Sequence, residues 1–285
     1  MDQQIINLYD EYTHKPLKRD EFLSRLAKLA GSTVAAAALL PLLESNYAKA
    51  AVTSNIDLVT ENVTYPGATG EIKAYVARPK ADGKYGTVIV IHENRGLNPH
   101  IEDVTRRAAN AGFLAMAPDA LSSQGGTPTN EDSARDMIGK LDAQQNLQNF
   151  IKAFDYLGGR KESNGKFGCV GFCWGGGLAN QLAVNMPNLK AAVAFYGRQP
   201  DAADVPKIKS AVQLHYGSLD ERINAGIPAY EDALKKAGVK YELYMYEGAN
   251  HAFHNDTAPT RYNEAAARLA WQRTIDFFNN SSNSG

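Results

Sequence analysis

The chain reads as an α/β protein in which helices cover both faces of a mostly parallel central sheet, with a separate N-terminal extension ahead of it. Three observations predict this. From Thr87 to Phe278, apolar β-branched runs alternate with stretches of helical periodicity, the pattern of parallel strands joined by crossover helices. The run Thr87-Val88-Ile89-Val90-Ile91-His92 is continuous rather than alternating, as suits a strand buried on both faces. Finally, Val170-Gly171-Phe172-Cys173-Trp174-Gly175-Gly176-Gly177 carries an apolar run into a helical pattern through a glycine-rich turn.

Composition narrows the class. With 285 residues, 44% apolar and 21% charged, the chain has the make-up of a soluble globular protein. Its length suits one α/β domain, residues 51–285, behind an extension of residues 1–50. A net charge of −1 gives no electrostatic reason to expect nucleic acid or an anionic membrane as partner. The only cysteines, Cys169 and Cys173, lie four positions apart in the run entering the glycine-rich turn, so no disulfide scaffold is expected.

The extension admits two readings. Leu29 to Leu43 (LAGSTVAAAALLPLL) is apolar and alanine-rich but too short for a stable membrane span. Basic residues precede it, and Ala48-Lys49-Ala50 follows as a candidate A-x-A processing site. Lys18-Arg19-Asp20-Glu21-Phe22-Leu23 is similar to a twin-arginine export pattern, but Asp20 stands where the second arginine belongs. On one reading the segment is an export signal, cut near Ala50, that delivers the domain to the periplasm. On the other it is a retained amphipathic helix from about Asp20 to Glu44, with Phe22, Leu23, Leu26, Leu29 and Ala30 on one face. The broken arginine pair tips the expectation towards the cytoplasm.

The remaining elements follow in order. Asp57 to Tyr65 and Glu71 to Ala77 alternate on either side of Pro66-Gly67, predicting an antiparallel pair at a sheet edge. After the buried run comes a helix over Pro99 to Ala111 and a strand over Gly112 to Pro118. The segment Ser122 to Asn130 (SSQGGTPTN) is the most loop-like and lies where a cap over a site could sit. Asp132 to Leu157 carries apolar residues near helical spacing and predicts one long helix. Beyond the turn at Cys173, strands are expected over Leu189 to Tyr196, Ser210 to Tyr216 and Lys240 to Tyr246. Helices are expected over Ile227 to Ala237 and Thr260 to Phe278, with a frayed tail from Asn279.

The turn at Cys173 has the form of a nucleophile elbow, with Cys in the place usually taken by Ser. So sharp a turn leaves no room for side chains at Gly171 and Gly175, and it sets the Trp174 amide at a helix N-terminus where it can donate to an oxyanion. In such sheets the acid and base follow the nucleophile in the chain. Here Gly217-Ser218-Leu219-Asp220 follows one strand and Glu247-Gly248-Ala249-Asn250-His251 follows the next, which brings Cys173, Asp220 and His251 to one sheet edge. Each residue alone has an ordinary structural explanation, as packing, helix cap or surface loop. The order and the equivalent positions point to nucleophile, orienting carboxylate and base.

These motifs, with His92-Glu93 after the central strand and Gly248-Ala249-Asn250-His251-Ala252-Phe253, resemble the dienelactone hydrolases (carboxymethylenebutenolidases) of the α/β-hydrolase superfamily over roughly residues 55 to 280. The resemblance implies the α/β-hydrolase fold and two further roles. Glu93 would hold the resting thiol and take its proton when substrate arrives, and the Asn94 amide would join that of Trp174 in the oxyanion hole. The expected reaction is two-step acyl transfer: Cys173 attacks a small ester or lactone, and His251, oriented by Asp220, serves the leaving alkoxide and then water. No cofactor is expected, and neither His215 nor His254 stands in a metal-ligand spacing.

The departures concern the substrate. The resemblance implies two arginines that clamp the carboxylate of dienelactone, and here those positions are Asn255 and the neighbourhood of Ser123. Dienelactone is therefore expected to be a poor substrate, with Arg95, Ser123, Phe253 and Asn255 as pocket candidates. Two other readings use the same residues: a non-hydrolytic binding or redox-sensing protein on this fold, and a thioesterase or acyl transferase.

Overall fold

The computed structural model describes residues 1–47 and 53–283. Three helices come first: α1 (Gln3–His14), α2 (Arg19–Ala30) and α3 (Thr33–Leu43). Strands β1 (Leu58–Pro66), β2 (Glu71–Pro79) and β3 (Tyr85–Ile91) precede α4 (Pro99–Asn110) and β4 (Leu114–Pro118). Then follow α5 (Glu131–Ile138), α6 (Ala143–Gly158), β5 (Ser163–Phe172), α7 (Trp174–Asn185), β6 (Ala191–Phe195) and β7 (Ala211–Gly217). The chain closes with α8 (Glu221–Asn224), α9 (Ile227–Ala237), β8 (Tyr241–Tyr246) and α10 (Glu264–Asn283).

The strands form one eight-stranded sheet in the order β1-β2-β4-β3-β5-β6-β7-β8. Only β2 runs antiparallel to its neighbours, β1 and β4; every other pair is parallel. The expected α/β fold and the antiparallel edge pair are both present. Period-2 alternation divides the strands between two cores: Ile89, Ile91, Cys169 and Ala192 face the helices α6, α7 and α9, whereas Val88, Val90, Val170 and Val193 face α4 and α10. The chain winds from β3 to β4 on one side and to β5 on the other. The C-terminal ends of β3 and β5 therefore flank a switch point, where open sheets of this kind place their crevice.

Three expectations need correction. The long helix over Asp132 to Leu157 is two helices: Gly139 closes α5, and the Asp142 carboxylate accepts from the Gln145 amide as the N-cap of α6. The amphipathic helix from Asp20 to Glu44 is also two, α2 and α3, bent by 110°. Gly31 ends the first in the left-handed region (φ 83°), and Ser32 Oγ caps the second by accepting from the Ala35 amide. Leu29, placed on the buried face, is 43% exposed. The tail expected to fray from Asn279 continues α10 to Asn283.

The extension is a small helical unit with its own apolar interior. Ile5, Leu8, Tyr9, Tyr12, Phe22 and Leu26 are buried together, with Tyr12 and Phe22 stacked at 4.3 Å. Among the described residues no single helix is long and apolar enough to cross a membrane, though α2 and α3 together would pass by length and composition. The candidate processing site Ala48-Lys49-Ala50 lies outside the described residues.

Candidate active site

The site begins with the backbone at Cys173. This residue has φ 56° and ψ −115° and stands between β5 and α7. Its amide donates to the Phe195 carbonyl and its own carbonyl accepts from the Gly177 amide, fixing the turn at both ends. A Cβ on Gly171 would overlap the Gly175 carbonyl, and one on Gly175 would overlap the His92 carbonyl. Among the described residues the non-glycines with positive φ are Cys173, Tyr196 and Ala252, and all three surround this site. Such positions cost about 1–3 kcal/mol each and persist where surrounding structure enforces them.

Asp220 and His251 come from adjacent strand ends. The Ser218 amide donates to the Tyr246 carbonyl and the Leu219 amide to the Ala249 carbonyl, so the loop after β7 is stitched to the loop after β8. This register places His251 Nδ1 at 2.5 Å from Asp220 Oδ2, both groups buried. The other Asp220 oxygen accepts from the Ile223 amide and caps α8. His251 Nε2 is buried, makes no hydrogen bond among the described residues, and lies within 4.8 Å of Cys173 Sγ.

Trp174 opens α7, so its amide is among the first in the helix, which have no carbonyl a turn earlier to accept them. The loop bearing Asn94 leaves β3 beside it. His92 ties the two together: its ring stacks on Trp174 at 5.2 Å, Nδ1 donates to the Glu93 carbonyl, and Nε2 accepts from the Ala120 amide. Burial holds this imidazole neutral, as the accepting nitrogen requires.

Next to the site residue Tyr196, Glu93 is buried. Asn255 Nδ2 donates to one of its oxygens at 2.8 Å and Tyr196 OH to the other at 3.3 Å. The hydrogen-bond partner of the Cys173 sulfur is instead His14 of α1, whose Nε2 lies 3.1 Å away. Its Nδ1 is 3.0 Å from Asp10 Oδ1, and Asp10 Oδ2 accepts from Arg222 Nε at 3.0 Å. Sequence reasoning found neither Asp10, His14 and Arg222 nor the buttress Tyr196. The one available signal was Asp10 and His14 four apart on a helix, a spacing with many ordinary uses.

The cleft over Cys173 measures about 520 Å³. Its lining includes Lys15, Arg135, Lys140, Arg198 and Arg222 against a single carboxylate, Asp136. The guanidinium of Arg198 is exposed and makes no ion pair among the described residues. The earlier pocket candidates lie elsewhere. Arg95 pairs with Glu131 and donates to Tyr9 OH, Phe253 is fully buried behind Tyr196, Asn255 holds Glu93, and Ser123 is exposed outside the cleft lining. The Ser122 to Asn130 loop is pinned by Asp119, which accepts from the Thr127 amide and hydroxyl, and α1 occupies the place over the cleft.

Burial disfavours a thiolate at Cys173, but the charges of His14 and His251 outweigh it and bring the thiol down to about 5. Both imidazoles are raised in turn, against the opposing effect of burial: His14 by Cys173 and Asp10, His251 by Asp220 and Cys173. Cys169 has no such neighbours, and burial pushes its thiol up. Sγ and the two imidazoles lie within 4.8 Å of one another, a set that a thiophilic cation could also use in its deprotonated form.

Residues 72–282 match the model of the "Dienelactone hydrolase family". The chain belongs to that family. A protein of Methylorubrum extorquens named "Putative carboxymethylenebutenolidase" is 34% identical over 236 residues, covering 78% of this chain and 81% of that protein. One of the same name from Saccharolobus solfataricus is 34% identical over 256 residues, covering 76% and 97%. The crystal structure titled as a putative dienelactone hydrolase from Klebsiella pneumoniae superposes with a TM-score of 0.72 at 30% identity, covering 78% of this chain and 98% of that one. The dienelactone hydrolase match starts at β2, so α1, α2 and α3 fall outside it.

Proposed function

We propose that this member of the dienelactone hydrolase family hydrolyses small esters or lactones, preferentially anionic ones, by two-step acyl transfer through Cys173. The reading rests above all on one arrangement: a cysteine on a strained strand-to-helix turn, faced by a histidine whose far nitrogen is 2.5 Å from a buried carboxylate. Cys173 attacks the carbonyl, and the amides of Trp174 and Asn94 receive the oxyanion, each worth about 2.7–4 kcal/mol in sites of this kind. His251 protonates the leaving alkoxide and then activates water, with Asp220 fixing its tautomer.

Preference for an anion follows from Lys15, Lys140 and Arg198 on the cleft wall, beside the paired Arg135 and Arg222. Dienelactone itself is expected to be poor, because Asn255 is committed to Glu93 and Ser123 lies outside the lining. The test is turnover of a short panel containing p-nitrophenyl acetate, a carboxylated aryl ester and dienelactone by the wild-type, Cys173→Ala and His251→Ala proteins. Loss of about 10³-fold or more in both variants is expected. Equal turnover by wild type and Cys173→Ala would overturn the reading.

A further inference from the structure

We propose that His14, carried in by the N-terminal extension, is a second catalytic histidine whose imidazolium holds Cys173 as a thiolate at rest and receives it again as the leaving thiolate. This rests on the acyl-transfer reading above and deepens it. The family match leaves α1 out, yet α1 supplies a hydrogen-bond partner of the sulfur at 3.1 Å.

The geometry divides the labour between two Asp–His pairs that converge on one sulfur. The Asp220 carboxylate bonds His251 through Nδ1, whereas Nδ1 of His14 bonds the Asp10 backbone carbonyl at 2.9 Å with the Asp10 carboxylate 3.0 Å away, so both Nε2 atoms are left for Cys173. His14 Nε2 bonds Sγ at 3.1 Å, while His251 Nε2, within 4.8 Å of Sγ, has no other bond and can serve substrate oxygen and water. The helices support the same polarity. His14 ends α1, where a helix favours a cation, and Cys173 stands at the N-terminus of α7, where it favours an anion. The charged groups facing the pair are Asp10 on α1, Arg222 on α8, the His251–Asp220 pair, and Tyr196 over Glu93, with Lys15, Arg135 and Arg198 on the rim.

The cycle balances. At rest the thiol proton resides on His14 Nε2. Thiolate attack forms the C–S bond and moves the carbonyl electron pair to oxygen. Collapse breaks the ester C–O bond, and the alkoxide takes the proton of the His251 imidazolium. Neutral His251 removes a proton from water, whose oxygen attacks the thioester and expels the thiolate back to His14. The products are an acid and an alcohol; His14 keeps its proton, and His251 has given one and regained one.

Docking of α1 is specific on several sides. Asn94 Nδ2 donates to the Thr13 carbonyl at 2.9 Å, Gln3 to Asn250 at 2.6 Å, and Tyr12 OH to Asp132 at 2.7 Å. The Arg261 guanidinium covers the Tyr9 ring at 5.1 Å. Thr13 carbonyl and Asn94 place the extension one residue from the nucleophile's partner and one residue from Glu93.

The test is the pH dependence of Cys173 alkylation by iodoacetamide, read by peptide mass in the full-length wild-type, His14→Gln and Asp10→Asn proteins, with thermal melts to confirm folding. In the wild type the rate is expected to be already high in mildly acidic solution. In His14→Gln the midpoint moves towards the ordinary thiol value of about 8.5, and kcat/KM falls about 10²–10³-fold. Asp10→Asn, which leaves the imidazole in place, shifts the midpoint in the same direction by less. A folded His14→Gln protein, or a folded Asp10→Asn protein should the former not fold, with the wild-type alkylation profile overturns the proposal. Alkylation needs no hydrolysis, so a shifted midpoint with activity retained in Cys173→Ala would overturn the acyl-transfer reading instead.

Discussion

His14 Nε2 and Cys173 Sγ lie 3.1 Å apart across 159 positions of sequence. The contact joins the last turn of an extension helix to the first turn of α7, and it sets a second imidazole against the sulfur beside that of His251. Several measurable consequences depend on it.

The first is the pH profile of hydrolysis. Burial opposes ionisation of Cys173, but His14 and His251 hold its thiol at about 5. A depressed group loses its contribution as pH falls through the folded value, so kcat/KM for an uncharged ester should fall on the acid side near pH 5. The imidazoles are raised, so their contribution is complete below the ordinary histidine value and is lost as pH rises through their folded values. The expected profile is a bell whose acid limb lies well below the ordinary thiol range. A rate that climbs only through about 8.5 would show a thiol without its cation.

The elbow supplies a stability prediction. Gly171→Ala sets a methyl group against the Gly175 carbonyl, backbone against backbone, with no flexible side chain to yield. A loss of about 4 kcal/mol or more, or failure to fold, is expected in urea melts. Gly139→Ala is the control: φ there is −63° and the nearest atom is an ordinary 3.5 Å away. It should be neutral or stabilising by about 0.4–1 kcal/mol.

Much of the domain was legible because it rests on short-range pattern. The β-branched run of β3, the glycines around Cys173, and the strand ends carrying Asp220 and His251 each announce their position within a few residues. The breaks at Gly139 and Gly31 were misread because helical periodicity continues across both, whereas the caps Asp142 and Ser32 that mark them are single residues. His14 was beyond reach for a different reason. No local pattern in α1 distinguishes a histidine facing solvent from one delivered to a cysteine more than half the chain away, and the motifs that identify the family lie outside the extension. Glu93 shows the complementary difficulty. Its place after β3 was read correctly, but its hydrogen bonds depend on Tyr196 and Asn255, which only the fold assembles.

Arg198 carries the prediction on substrate charge. Its guanidinium lines the cleft, is exposed and has no acidic partner among the described residues, unlike Arg222 with Asp10 or Arg135 with Asp132. Arg198→Ala should raise KM for a carboxylated ester about five-fold, the scale of about 1 kcal/mol for an exposed charge pair, and leave a neutral ester of the same length unchanged. The difference should shrink at high salt. An equal rise for both esters would assign Arg198 a steric role.

The extension's own core decides whether His14 stays in place. Phe22 is fully buried against Tyr9 and Tyr12, and Tyr12 is in turn fixed by Asp132 and by the Arg135 guanidinium over its ring. Removing such a ring costs about 3–5 kcal/mol where the site cannot collapse. In Phe22→Ala the measured loss should be smaller than that in global unfolding, because α1, α2 and α3 form a separate apolar cluster that can loosen while the sheet stays folded. Hydrogen exchange should therefore quicken in α1 to α3 and stay unchanged in β3, β5 and β6. Alkylation of Cys173 in the same protein should shift upward in pH, as is expected for His14→Gln, although the ring contacts of Phe22 are with Tyr9 and Tyr12. Faster exchange in the extension with an unaltered thiol would mean that His14 holds its place without the helices around it, and that Asp10 and Arg222 alone anchor it.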